Sequence, residues 1–428
     1  MRMADDAARK EWAEGWPTVL AGVFGISFVA ISTASLGLFM APLEQEFGWT
    51  RTQISITGAI GALIAMISLP LVGVAVDKGY SRLVALVGLV GSAAIFGSLA
   101  LSNGSLILWC IQWMLFAIFM AGINPIVWSA SVSNQFQAAR GLALAIVLSG
   151  SSIGSSTAPL VARWLIDNYG WQGGFIGLSL IYGVVAFVFV ALFFERKPKA
   201  RAVAKTGGAA NALPGLTFKE AMVNPRMFMI FGATVLAFML LVSMLMHTAP
   251  LMETRGATPQ AAAMGAATVA AFMLVGKLSL GWALDRAPGH LIGALTYALP
   301  GAACLFLREF DAHGFAPFIA LAVMGFGFGG VMQLTAYLVG RYVGLRSFGK
   351  VFGVVSSLMA LAGGLGPIVA GMVFDATRNY DLFLLLGAPV SVASALLILF
   401  LGRYPTFAAP PAQVEGAAVA AETAVVKA

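Results

Sequence analysis

The chain has 428 residues, of which 60% are hydrophobic and only 10% charged, with a formal net charge of +7 at pH 7 and a mean hydropathy of +0.90. Soluble domains carry about 25% charged residues, so a water-soluble fold is excluded. With three histidines and two cysteines, each cysteine inside an apolar run, there is no metal cluster, disulfide framework, nucleophile–base set or phosphate loop to defend, which argues against an enzyme and against a bound cofactor.

Residues 1–16 mix acids and bases and read as an N-terminal tail without a cleavable signal, because the apolar run that follows is too long for a signal core. Uncharged stretches then recur at 15–43, 52–76, 83–139, 141–162, 168–194, 227–252, 256–276, 291–307, 312–340, 351–374 and 382–402, the third broken by Ser102-Asn103-Gly104. A hydrocarbon core of roughly 30 Å takes about 20 helical residues, so these make twelve crossings. Main-chain amides in lipid must be satisfied within the segment, and the alternating ten-residue pattern of a barrel is absent, so the crossings are helices. The expected fold is an all-α polytopic membrane protein with two six-helix bundles, 17–194 and 226–402. Between them 195–225, rich in Lys, Arg, Gly, Ala and Pro, reads as a cytoplasmic linker with room for a short amphipathic helix. The tail 403–428 has too few large apolar residues to pack and is expected to be disordered.

The positive charge is unevenly placed, which turns the argument away from nucleic acid. With a cytoplasmic N-terminus, nineteen of the 25 basic residues lie in inside segments, and Arg51, Arg255, Arg308 and Arg378 lie outside. That asymmetry orients the chain in a cell (inner) membrane with both termini in the cytoplasm.

A shift of 208 residues superposes the halves: Ala41-Pro42-Leu43 falls on Ala249-Pro250-Leu251, Gly48 on Gly256, Gly73 on Gly281 and Asp77 on Asp285. Gly141 likewise falls on Gly349, Pro159 on Pro367, Asp167 on Asp375 and Phe175 on Phe383. Two parallel repeats are typical of transporters that rock two halves about a central site. The shift also pairs the loop segments "GVAVDKGYSR" and "GWALDRAPGH". Their glycines, Gly73 and Gly281, are expected to permit close helix approach, and Asp77, Lys78, Arg82, Asp285 and Arg286 to form a gate at the membrane edge. For one copy alone these charges would be ordinary topology signals; two copies in register favour the gate.

Between Arg255 and Asp285 the only charged residue is Lys277, set in "AAFMLVGKLSLGWALDR". Eight residues before Asp285, at about 1.5 Å per residue, it lies about 12 Å into the membrane. An ammonium there costs roughly 2.5–3.5 kcal/mol or more, and such residues are functional by default. Its stem reaches only about 6 Å, too short to snorkel out, and no Asp or Glu is expected deep in any crossing to pair with it. Weaker candidates are His247, about 9 Å inside the end of its helix, and the amides Asn124 and Gln333 at nearly equivalent repeat positions; each could equally serve an interhelical hydrogen bond. Arg163 is expected to pair with Asp167 one turn on. Trp109, Trp113, Trp128 and Trp164 are expected to include residues of an interfacial aromatic belt.

Gly73-x-x-x-Asp77-Lys78 with Arg82 resembles the helix 2–3 loop signature of the major facilitator superfamily, with Gly79 and Tyr80 departing from its usual order. The segments "FGWTRTQIS" (47–55), "ARGLALAIVLSGSSIG" (139–154), "DNYGW" (167–171) and "HTAPLMETRGATPQAA" (247–262) resemble its monocarboxylate porter and oxalate/formate antiporter branch, and Glu14-Gly15-Trp16 partly matches that branch's entry to helix 1. The resemblance implies that Lys277, four residues before Gly281, binds a substrate carboxylate where the family usually has arginine. The acid that some members carry four positions earlier is here Met273. A lysine whose proton leaves on desolvation would link anion binding to proton uptake, giving symport; a lysine always charged would require a counter-anion, giving exchange. "SGSSIGSSTAP" (149–159) also resembles the helix 5 pattern of drug/proton antiporters. The expected function is thus transport of a small organic anion, with protons or a counter-anion and membrane lipid as partners and a monomer as the working unit. Drug or metabolite efflux and a non-transporting receptor are the alternatives.

Overall fold

The computed structural model describes residues 2–136, 139–194, 215–284, 286–309, 314–344, 346–402 and 404–405. Its first half contains α1 (Arg2–Phe47), α2 (Arg51–Asp77), α3 (Ser81–Ser98), α4 (Leu106–Met120), α5 (Pro125–Gln135) and α6 (Arg140–Phe193). After a short α7 (Phe218–Met222), the second half contains α8 (Pro225–Thr254), α9 (Pro259–Leu284), α10 (Gly289–Glu309), α11 (Ala316–Gly329), α12 (Val331–Val343), α13 (Phe348–Thr377) and α14 (Asp381–Leu399). Among the described residues eleven helices are long and apolar enough to cross a membrane. One of them, Leu142–Phe193, is 52 residues long and breaks at Gly170 (φ 72°, ψ 176°), so it makes two crossings and brings the number to the expected twelve.

The repeat is visible in where helices begin. The starts of α2, α3 and α6 at Arg51, Ser81 and Arg140, moved by 208 residues, fall on the starts of α9, α10 and α13 at Pro259, Gly289 and Phe348. In the first half α1 packs along α6, and α3 lies on α6 and α4; in the second α10 packs on α14, α9 on α11 and α8 on α13. The halves meet through α2 with α13, α6 with α9 and α1 with α8.

Helix α1 continues through the charged N-terminal stretch, with Pro17 inside it. Of the linker, α7 is the short helix anticipated, opened by a capping box in which Thr217 and Glu220 each accept the other's main-chain N–H. The remainder of the linker, 195–214, and the tail from 406 lie outside the described residues.

Three expectations fare differently. Trp109 and Trp128 are wholly buried and Trp113 nearly so, because they fill the interior of the first half; Trp164 alone of the four, at 56% exposure, suits an interfacial belt. Gly73 and Gly281 face open space, so neither is where two helices touch. Arg163 does pair with Asp167, as the i,i+4 spacing requires.

Candidate functional site

A cavity of about 520 Å³ lies between the halves, with walls from α1, α2, α4 and α6 on one side and α8 and α13 on the other. That volume falls within the roughly 300–1,000 Å³ usual for small-molecule sites. Its lining is apolar except for Ser32, Thr33, Thr57, Asn124 and Ser155, and among the described residues no charged side chain borders it. Trp113 and Phe116 form an aromatic wall, and the buried Trp113 indole N–H has no hydrogen-bond partner among the described residues.

Of the four residues expected to bind substrate, Asn124 lines this cavity. It is the N-cap of α5, where its side-chain oxygen accepts the Ile126 N–H at 3.2 Å, which leaves its amide hydrogens for another partner. Gln333 is exposed on α12 and does not border the cavity. Lys277 is half-buried on α9, and among the described residues its side chain makes neither a hydrogen bond nor an ion pair. Its main chain is packed hard against α11: a Cβ on Gly329 would lie 2.1 Å from the Met273 carbonyl oxygen and 2.8 Å from the Lys277 nitrogen.

His247 is wholly buried in a network that crosses between the halves. Its Nε2 lies 3.0 Å from the Pro367 carbonyl and 3.2 Å from Ser55 Oγ, and its Nδ1 lies 2.8 Å from the Tyr380 hydroxyl. A carbonyl only accepts, so Nε2 carries a hydrogen. The Tyr380 oxygen accepts from Arg51 Nη1 at 2.8 Å and gives its own hydrogen to Nδ1, so a neutral imidazole satisfies every partner. Burial pushes the Tyr380 phenol up, against the opposing pull of the Arg51 guanidinium, and keeps it a donor. Arg51 is itself 5% exposed, with Nε bound to Glu44 at 2.8 Å and its guanidinium 3.5 Å from the centre of the Phe374 ring.

By helix rise, His247 lies about 10 Å from the end of α8, on the face where α1 ends and α2 begins. Lys277 lies about 27 Å along α9 from that same face. The two are therefore held at different depths, and a small substrate does not span them at once.

The residues expected to form a gate sit at the opposite face. Arg82 donates to the Ala191 carbonyl at 2.6 Å, tying α3 to the end of α6. Lys78 is exposed, and Arg286 stays on its own helix, donating to the Trp282 carbonyl at 3.0 Å and lying over that ring. The side chain of Asp77 and the whole of Asp285 lie outside what is described. Among the described residues, side-chain hydrogen bonds between the halves gather toward the other face, at Arg51, Thr52, Ser55 and Gln260. Arg51, Glu44 and Tyr380 were not singled out from sequence beyond Arg51's place outside the membrane; the available signal was the 208-residue register around Thr50 and Thr258.

Comparison with known proteins agrees with this architecture. The chain is 24% identical over 399 residues to monocarboxylate transporter 13 of Rattus norvegicus, covering 90% of this chain and 88% of that protein. It is 25% identical over 393 residues to the agnestins efflux protein AgnL12 of Paecilomyces divaricatus, covering 89% and 86%. Its fold matches a bacterial homolog of the human lysosomal transporter Spinster, in an inward-facing and occupied conformation, with a TM-score of 0.65 at 15% identity over 90% of this chain and 93% of that one. The Major Facilitator Superfamily profile runs from residue 22 to 367, through both repeats and across the cavity between them, and the chain belongs to that superfamily of membrane transporters.

Proposed function

We propose that the protein is a secondary active transporter that moves a small organic anion, a mono- or dicarboxylate with an apolar or aromatic body, by alternating access, as proton symport or anion exchange. The observation that carries this reading is Lys277, a lone cation within a membrane-crossing helix whose side chain has no partner among the described residues. Relatives named as monocarboxylate transporters over about nine-tenths of the chain support it. In this reading the carboxylate meets Lys277 at one step of its passage and the cavity, with Asn124 and its aromatic wall, receives the substrate at another, while His247 and Gln333 contribute polar contacts along the path. Asp77, Lys78, Arg82, Asp285 and Arg286 form the gate at the cytoplasmic face.

The test is uptake into proteoliposomes of a panel of mono-, di- and aromatic carboxylates, with and without an imposed pH gradient. Saturable uptake that requires the carboxylate is expected, and Asp77→Asn or Asp285→Asn should lower its turnover more than its apparent affinity. Efflux is the second reading, favoured by the uncharged cavity wall and the fungal efflux relative. Transport of neutral or cationic compounds that does not depend on Lys277 would select it.

In the same reading the protein sits in the inner membrane with both termini cytoplasmic, supported by the basic asymmetry of the loops. Cysteines placed at Asn211 should react with an impermeant reagent from the cytoplasmic side only, and at Asn103 from the outside only. External labelling at Asn211 would reject that orientation.

A further inference from the structure

At the face where α2 and α9 begin, each half presents a carboxylate to a helix start of the other. Asp375 of α13 accepts the Arg51 N–H at 3.1 Å through Oδ1, and the Thr52 N–H at 3.0 Å and Thr52 Oγ1–H at 2.5 Å through Oδ2. Its repeat counterpart, Asp167 of α6, accepts from Gln260 Nε2 at 3.1 Å. Gln260 is the counterpart of Thr52 under the same shift. The caps themselves are also equivalent: Thr50 accepts the Gln53 N–H and Thr258 the Ala261 N–H.

The two copies are unequal for reasons written in the sequence. One turn before Asp375 stands Gly371, where a Cβ would lie 2.8 Å from the Thr52 nitrogen and 2.9 Å from the Arg51 carbonyl carbon, so only glycine lets α13 come this close to α2. The same position in the first repeat is Arg163, whose guanidinium holds Asp167 on its own helix. Arg51 offers a main-chain N–H; its counterpart Pro259 has none. Asp375 thus meets amides that a helix start leaves without intrahelical partners, in the favourable field of the helix dipole, while Asp167 has one side-chain amide.

We propose that this face is closed by two unequal latches, a principal one in which Asp375 caps α2 across the boundary between halves and a minor one in which Asp167 holds Gln260, and that breaking the principal latch opens the cavity to that side. The proposal rests on the two-half fold and on the outward orientation given above for this face, and on nothing about the substrate.

The experiment places a reporter, Thr57→Cys on the cavity wall, in a background with Cys110→Ala and Cys304→Ala, and follows its reaction with an impermeant thiol reagent added on the latch side of oriented membranes. Without any substrate, Asp375→Asn and Gly371→Ala should each speed labelling about five-fold or more, Thr52→Val by less, and Gln260→Ala by under about two-fold, as expected when a two-state equilibrium is biased by unequal contacts. Folding is checked by an unchanged size-exclusion profile. The proposal is overturned if folded Asp375→Asn and Gly371→Ala label at the parental rate, or if Gln260→Ala matches them. Where those variants do not fold, a folded Thr52→Val with the parental rate overturns it. Because no carboxylate is present, failure here leaves the substrate reading standing, and failure of the uptake panel leaves the latches standing.

Discussion

Lys277→Ala abolishes saturable carboxylate uptake in proteoliposomes while leaving yield and monodispersity unchanged: that is the expected result for a cation that serves a substrate and not the fold. Its side chain holds no hydrogen bond or ion pair among the described residues, so its removal orphans no buried partner. It also removes a charge whose presence in the membrane costs roughly 2.5–3.5 kcal/mol by insertion scales. Lys277→Arg separates the two coupling schemes, since guanidinium keeps its proton. Under anion exchange the arginine variant still swaps labelled for unlabelled substrate. Under lysine-linked symport it binds substrate and loses accumulation driven by a pH gradient. Full accumulation by Lys277→Ala would remove both schemes.

The second large effect is expected at Gly329. A Cβ there would be 2.1 Å from the Met273 carbonyl oxygen and 2.8 Å from the Lys277 nitrogen, both main-chain atoms that yield only if α9 moves away from α11. Gly325, one turn earlier, makes the same kind of approach to the Val269 carbonyl, which gives the small-xxx-small spacing of close helix contacts. Gly329→Ala should therefore lower the thermal midpoint of the purified protein, as an overpacking cost of about 1–3 kcal/mol would, and should reduce transport by displacing the Lys277 main chain. Gly349→Ala, where a Cβ meets nothing within 4 Å, is the control and should leave the midpoint unchanged. Equal midpoints for the two variants would reject the tight α9–α11 interface.

The crossings and the repeat were legible because both are one-dimensional signals. Hydropathy marks the crossings, and a constant shift of 208 residues already predicted which helix starts coincide. Arg163 with Asp167 was legible for the same reason, since four residues on a helix are always neighbours. Burial was not: Trp109 and Trp128 look like belt residues by type, yet their direction depends on how α3, α4, α5 and α6 assemble. The link from Glu44 through Arg51 and Tyr380 to His247 joins residues up to 329 positions apart, so no local pattern could predict it. Lys277 was visible by its isolation, and its depth relative to His247 followed from counting along each helix; what the sequence could not show is that Lys277 stands outside the cavity wall.

The course of the chain just before α8 bears on how the halves are coupled mechanically. Gly215 bridges to Gly344, and the Leu216 N–H donates to the Val343 carbonyl at 2.8 Å, so the polypeptide has joined the second half before α7 begins. The covalent tie between the halves is therefore segment 195–214 alone. At no more than about 3.5 Å per residue such a tether can span roughly 70 Å, far more than adjoining bundles require. The halves meet along the non-covalent seams of α1 with α8, α2 with α13 and α6 with α9, so it is these packed surfaces that one half must slide or turn on when it rocks against the other.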